Sequence, residues 1–415
     1  MKHYDVIIIG GGVVGLSSAY YLGKAGKSVL VLDKGDGNDG CSFGNAGFIS
    51  PSHFVPLSAP GIVSKGLKWM MSADSPFYVK PRFNLGLMKW GWQFMNHATA
   101  KHVENSKQLL VDLSVLSREL HNNIAKEGDF PLQNKGMLML CKEEETLQHE
   151  IALGKESVEM GMKTTAYTAE ELKKLEPGMN IDVLGGVLFS MDSYIDPAGF
   201  MRDFPSLIKP FDVSIKTNSG VDDFEVVNGK ISAALVANEK YTADQFVMAA
   251  GSFSTPLMKK LKLNLLLEGG KGYSVDWTNP SSTPSMSYIL AEARVAVTPF
   301  ADRVRLAGTM EIVGLNETVN RTRSNGFIKS VQAYLPDYSF DKLKDLPVWA
   351  GLRPCSPDGL PFIGRTKAFK NLILATGHAM MGFTLGPVTG LLVKEIVEEE
   401  KTSIEISKLS ADRYN

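Results

Sequence analysis

The stretch Asp5-Val6-Ile7-Ile8-Ile9 is apolar without alternation, which predicts a strand buried on both faces of a parallel sheet. After a glycine-rich turn, small and apolar residues run to about Ala25 and predict a helix that Gly26 ends. Ser28-Val29-Leu30-Val31-Leu32 then reads as a second strand. Farther along, Leu109, Leu110, Leu113, Leu116 and Leu120 fall near a 3.6-residue period and predict a long helix over 101–127. A strand is expected at 136–140, with helices around 143–160 and 169–175. Asn228-Gly229 sits between two apolar runs, 224–227 and 231–236, and predicts a tight hairpin. A strand at 246–250 runs into Gly251, and alternation over 272–313 predicts a separate antiparallel sheet.

Composition narrows the class. At 415 residues the chain is too long for one simple core, so two domains are expected. A net charge of −1 with no basic run leaves no electrostatic footprint for nucleic acid. Cys41, Cys141 and Cys355 are odd in number and widely spaced, which points to reduced thiols rather than disulfides or a metal site. The first residues already belong to the fold, so no signal peptide and a cytoplasmic location are expected. Between 60 and 98, Trp69, Trp90 and Trp92 cluster with Met70, Met71, Met88 and Met95. That segment has two readings, docking on a membrane surface or packing as core and lid.

The turn Gly10-Gly11-Gly12-Val13-Val14-Gly15 carries the first chemistry. Gly10 allows the tight turn, Gly12 lets a pyrophosphate approach the backbone, and Gly15 lets the helix pack closely on the strand. Asp33 closes the second strand, where an acid accepts hydrogen bonds from a ribose hydroxyl. Strand, helix, strand and acid in register predict a dinucleotide site, without separating FAD from NAD. The loop Cys41-Ser42-Phe43-Gly44-Asn45-Ala46-Gly47 is small enough to let a cofactor lie against its backbone. Near the other end, 349–364, Gly377-His378 and Gly382-Phe383-Thr384 look like a site for a flavin ring and a carboxylate.

Taken in order, these stretches, with Lys271-Gly272-Tyr273-Ser274 and 306–311, make the chain similar over nearly its whole length to the D-amino-acid oxidase superfamily of FAD enzymes. The resemblance is closest to bacterial D-amino-acid dehydrogenases. It implies an α/β (α+β two-domain) fold, in which a Rossmann-like FAD domain of the glutathione-reductase type is interleaved with an antiparallel-sheet substrate domain. On this reading 1–51, 143–256 and 346–415 form the FAD domain, and 52–142 and 257–345 the substrate domain. Two departures stand out: Asp33 replaces the usual Glu, and the loop carrying Phe48 and His53 varies with substrate.

The implied chemistry is hydride transfer from the α-carbon of a D-amino acid to non-covalent FAD, with Cys355 an unmodified thiol. A D-imino acid such as D-proline or D-hydroxyproline is a further substrate implied. Arg353 is expected to hold the substrate carboxylate, since guanidinium offers a planar fork. Tyr273 is expected to lie over the substrate or, equally, to pack on a sheet. His53 and His378 are weaker substrate-side expectations, and His378 reads more simply as a loop histidine held by backbone bonds. The resemblance further implies cofactor contacts at Val13, Val14, Lys34, Ser42, Asn45, Ala46 and Gly47, and at Val221, Ala250 and Gly251. Gly382, Phe383 and Thr384 precede a helical run, whose N-terminus would stabilise negative charge on reduced flavin. Electrons would pass to a respiratory quinone at the inner membrane. The alternatives are an oxygen-using glycine or sarcosine oxidase and a non-catalytic FAD-binding relay subunit.

Overall fold

The computed structural model describes residues 2–62, 77–82 and 84–414. A parallel sheet forms one half, in the order Val213–Lys216, Val29–Leu32, His3–Ile9, Glu239–Met248 and Leu372–Thr376. Its central strands are buried on both faces, as the unbroken apolar runs predict. Asp223–Val227 and Lys230–Val236 make the predicted hairpin, with Asn228 and Gly229 both left-handed at φ 51° and 73°. Helices Val13–Lys24 and Gly386–Val397 pack directly on each other. A Cβ on Gly390 would lie 2.5 Å from the Ser17 backbone, and one on Gly386 2.9 Å from Val13. This contact sets the N-termini of the two helices side by side.

The other half is a mostly antiparallel sheet, nine-stranded among the described residues. Two of its pairings are parallel, Met137–Cys141 with Ser287–Leu290 and Phe77–Val79 with Arg303–Ile312. One face buries Tyr273, Val275, Leu306 and Phe327 in a core with the helix Arg321–Gln332. The opposite face meets the parallel-sheet half.

Strand pairing joins parts of two stretches expected in the FAD domain to the nine-stranded sheet. Thr164–Thr168 and Gly185–Phe189 belong to the nine-stranded sheet, although 143–256 was assigned to the FAD domain. Val348–Cys355 joins the same sheet at its edge, although 346–415 was assigned likewise. Both moves follow from pairing with strands distant in sequence, which local pattern does not encode.

Candidate FAD and substrate site

The glycine turn behaves as its sequence dictates. Gly10 has φ +111°, and a Cβ there would fall 2.5 Å from the Ala249 carbonyl oxygen, beside Ala250. A Cβ on Gly15 would lie 1.9 Å from the Gly10 carbonyl oxygen. At Gly12 the nearest obstacle is Ser42 Oγ at 3.2 Å, so space opens in front of the helix. Gly12 brings no side-chain cap to this helix, whose first turn holds no acid. Ser42 Oγ accepts from the Val13 amide at 3.0 Å. Such an N-terminus offers backbone donors and partial positive charge to a pyrophosphate.

Asp33 accepts from the Gly11 amide at 2.6 Å and the Gly35 amide at 2.7 Å, which fixes its carboxylate beside the turn. A carboxylate has lone pairs beyond those two bonds, so it can still accept from a ribose. The Lys34 ammonium lies over the Phe253 ring at 3.1 Å from its centroid. Gly251 follows Ala250 in the left-handed region at φ 54°. Val221 is half-buried against the core of the parallel sheet.

The loop after Cys41 is held from the other half of the molecule. Arg305 Nη1 donates to the carbonyls of Phe43 and Asn45, at 2.9 and 2.8 Å. Ser274 Oγ donates to Gly44 O at 2.9 Å, and Thr298 Oγ1 to Ala46 O at 2.8 Å. Asn45 shapes the turn itself, donating to Ser42 O and accepting from the Gly47 amide, both at 2.7 Å. A trans peptide points its N–H opposite its carbonyl, so the amides of Gly44, Asn45 and Ala46 face away from the sheet. They are donors aimed toward the dinucleotide half, which is what a cofactor lying there needs. Arg305 is in turn gripped by Asp276, with bonds of 2.7 and 2.8 Å. Burial alone would push the Asp276 carboxyl up, and Arg305 and Arg303 hold it below its ordinary value. Sequence reading missed Arg305, Ser274 and Thr298 as parts of the site. Their only signal was the alternation that put them on one face of the sheet.

Arg353 stands on the edge strand Val348–Cys355. Its guanidinium lies flat on Gly272, where a Cβ would sit 2.1 Å from Nη1. Nη1 donates to the Thr309 carbonyl at 2.8 Å. Burial pushes the guanidinium's pKa down, and among the described residues no carboxylate reaches ion-pair distance. Thr309 is a β-branched residue at φ +67°, an unfavourable conformation. It sits in a bulge, because Thr309 and Met310 together oppose Gly272 between the pairs Tyr273–Gly308 and Lys271–Glu311. The bulge aims the Thr309 carbonyl at Arg353. The Trp349 ring covers Gly44, where a Cβ would fall 2.2 Å from it. Cys355 is buried with its thiol pushed up to about 12, chiefly by desolvation.

Strand parity separates Tyr273 from Arg353 and corrects the expectation that it lies over the substrate. Its ring is in the outer-face core, its hydroxyl donates to Glu311, and it accepts from the Asn320 amide at 3.1 Å. Packing on the sheet, the alternative reading, is what the structure shows. His378 is buried in a loop whose backbone is held by a bridge to Cys355 and by the Met381 amide donating to its carbonyl at 2.8 Å, and its imidazole Nε2 lies 2.9 Å from Thr389 Oγ1. Burial pushes its pKa down to about 3. His53 Nδ1 is 3.4 Å from Ser52 Oγ, which donates to the fully buried Asp192 at 2.6 Å. Burial, with Arg294 nearby, brings His53 down to about 4.

The loop of Gly382, Phe383 and Thr384 is clamped from below. His121 Nε2 donates to Phe383 O at 3.0 Å, and Ser117 Oγ to Thr384 O at 2.6 Å. Thr384 Oγ1 donates to Phe48 O at 3.0 Å and receives the Ser50 amide at 3.3 Å. The Phe383 ring stacks on His121 in the core, so only the backbone of this residue can serve a cofactor. The helix Gly386–Val397 begins directly behind, as expected.

Comparison with known proteins agrees with this geometry. A family model described as FAD dependent oxidoreductase (DAO) matches residues 5–396. A D-amino acid dehydrogenase of Helicobacter pylori strain 26695 is 32% identical over 397 residues, covering 95% of each chain. Another from Helicobacter pylori is 33% identical over 400 residues, again 95% of each. Among solved structures, glycine oxidase from Geobacillus kaustophilus superposes over 100% of both chains with a TM-score of 0.80 at 20% identity. L-proline dehydrogenase from P. horikoshii gives 0.74 at 20% identity, over 100% of this chain and 98% of that one. The glycine turn, the donor loop and the match along the chain make this protein an FAD-dependent oxidoreductase of the DAO family.

Proposed function

We propose that the enzyme oxidises D-amino acids, and cyclic D-imino acids such as D-proline or D-hydroxyproline, to the imine. Water then converts an open-chain imine to a 2-oxo acid and ammonia. The observation that carries this reading is Arg353, a half-buried guanidinium with no carboxylate partner among the described residues. A substrate carboxylate supplies the missing counter-charge, and the fork geometry orients it. Bound FAD supplies the hydride acceptor and stores the two electrons. The protein's part is position: Thr309 fixes the guanidinium, and Gly272 lets it lie against the sheet. Gly10, Gly12, Gly15, Asp33 and the amides of the 42–47 loop would hold the dinucleotide, with Val13, Val14, Lys34, Val221, Ala250 and Gly251 around them. A substrate that binds as the neutral amine needs no side-chain base, and His378, committed to Thr389, serves to set the loop. His53 follows the loop toward Arg294 and is the proposed substrate-side residue. The non-catalytic relay reading has no use for an unpaired Arg353.

The acceptor is proposed to be a quinone at the membrane surface. On the helix Leu85–His97 the side chains of Leu85, Met88, Trp92 and Met95 form one exposed apolar stripe. Trp69, Met70 and Met71 lie outside the described residues. Among the described residues no helix is long and apolar enough to cross a membrane. An interfacial stripe would let the enzyme rest on a bilayer. An anaerobic panel of D- and L-amino acids tests the substrate. Bleaching of the visible flavin band by D-enantiomers is expected, and bleaching by L-enantiomers alone would refute the assignment. Rapid peroxide release in air would point instead to the oxidase. Liposome flotation tests the stripe, with loss of flotation expected in Trp92→Glu.

A further inference from the structure

The face of the nine-stranded sheet turned away from the FAD half carries a separate cleft of about 590 Å³. Tyr78, Lys80, Lys271, Glu311, Asn320 and Arg321 are among its walls. Lys271 is 3% exposed, an uncommon place for an ammonium. It donates to the Thr318 carbonyl at 2.6 Å and lies 3.5 Å from Asn316 Oδ1. Among the described residues, no carboxylate comes within ion-pair distance of Lys271, Lys80 or Arg321. Glu311, the acid in the wall, is engaged by the Tyr273 hydroxyl and by Arg323 at 3.8 Å. Burial, helped by Lys80 and Arg323, holds the Lys271 pKa below its ordinary value despite Glu311. By contrast, the buried Arg305 finds Asp276 and the half-buried Arg413 finds Asp358. The cleft therefore gathers three cations against one carboxylate, Glu311, which the Tyr273 hydroxyl and Arg323 also engage.

We propose that this cleft binds a small organic oxyanion, a phosphate or carboxylate group carried on a body that lies against Tyr78. Lys271 supplies a fixed point charge, Arg321 a planar fork, and Lys80 a mobile third cation. The site is distinct from the dinucleotide turn and lies on the reverse of the strand that carries Gly272. Lys271 precedes Gly272, and Glu311 follows the Thr309 bulge by two positions, so an occupant restrains both strands that frame Arg353.

The test uses holoenzyme saturated with FAD, titrated with inorganic phosphate and separately with citrate, against chloride at matched ionic strength. Calorimetry should show saturable binding of at least one probe, and thermal unfolding should move upward with it. Lys80 and Arg321 are exposed, so the double variant Lys80→Glu/Arg321→Glu should fold and keep its flavin absorbance. It should bind the same probe at least about tenfold more weakly. No effect beyond chloride, undiminished binding by the variant, or binding confined to FAD-free protein would each overturn the proposal.

Discussion

Two regions of the molecule depend on glycine for opposite reasons. At the dinucleotide turn, Gly10 and Gly15 are required because backbone meets backbone. Where the nine-stranded sheet meets the 41–47 loop, Gly272 on the sheet and Gly44 on the loop are required because a large side chain lies against each, Arg353 on the first and Trp349 on the second. A backbone carbonyl in the middle of a strand–turn–helix unit has nowhere to go. The far end of an arginine does. The first kind of glycine protects the fold, and the second protects the aim of one functional group.

Substitutions can break this distinction. Gly15→Ala should have the largest effect, since its Cβ would occupy the space of the Gly10 carbonyl. A loss above about 4 kcal/mol is expected, with colourless or insoluble protein, checked by the ratio of flavin to protein absorbance. Arg353→Lys should fold and stay yellow, yet lose about 100-fold in kcat/KM because an ammonium cannot reproduce the fork. Steady-state kinetics of the flavin-loaded variant checks this, and near-normal turnover would remove Arg353 from the site. Gly272→Ala sharpens the comparison most directly. It should retain flavin and raise KM by about tenfold, as the guanidinium is displaced while the fold persists. If it instead lost flavin as Gly15→Ala does, the two kinds of glycine would not differ.

A smaller effect concerns pH. His121 is pushed down to about 4 and His378 to about 3, both by burial. Their neutral forms are favoured by folding, so their stabilisation is complete above the ordinary histidine pKa. It is lost as pH falls through about 6 toward 4. Both histidines brace the loop around Gly382, so acidification should release FAD, visible as rising free-flavin fluorescence. Asp192, raised to about 7 by burial, slopes the other way. The informative comparison is therefore His121→Gln against wild type, and the variant should show a shallower acid limb.

The dinucleotide turn was legible because its requirements are local. Strand, glycines, helix and Asp33 lie within one short stretch, and each glycine's role follows from its place in that stretch. The hairpin at Asn228-Gly229 was legible for the same reason. Arg353 was legible as a residue type in a recognisable stretch, but its lack of a carboxylate partner among the described residues was not. Which of its two readings Tyr273 follows was not legible, for a physical reason: the strand Glu268–Thr278 is buried on both faces over its first eight residues. Alternation therefore could not tell which side looks toward the cofactor. Arg305, Ser274 and Thr298 were invisible because their partners are loop carbonyls more than 200 positions away in sequence.

Those carbonyl bonds bear on how the pocket is assembled during synthesis. The loop at 42–47 emerges early from the ribosome, whereas the hydroxyls and guanidinium that orient it arrive with Ser274, Thr298 and Arg305. An N-terminal fragment, however well its first strands form, has nothing to turn those peptides toward the nucleotide. Productive capture of the cofactor is therefore expected late in the life of the nascent chain, with the yellow colour as its read-out that both halves have found each other.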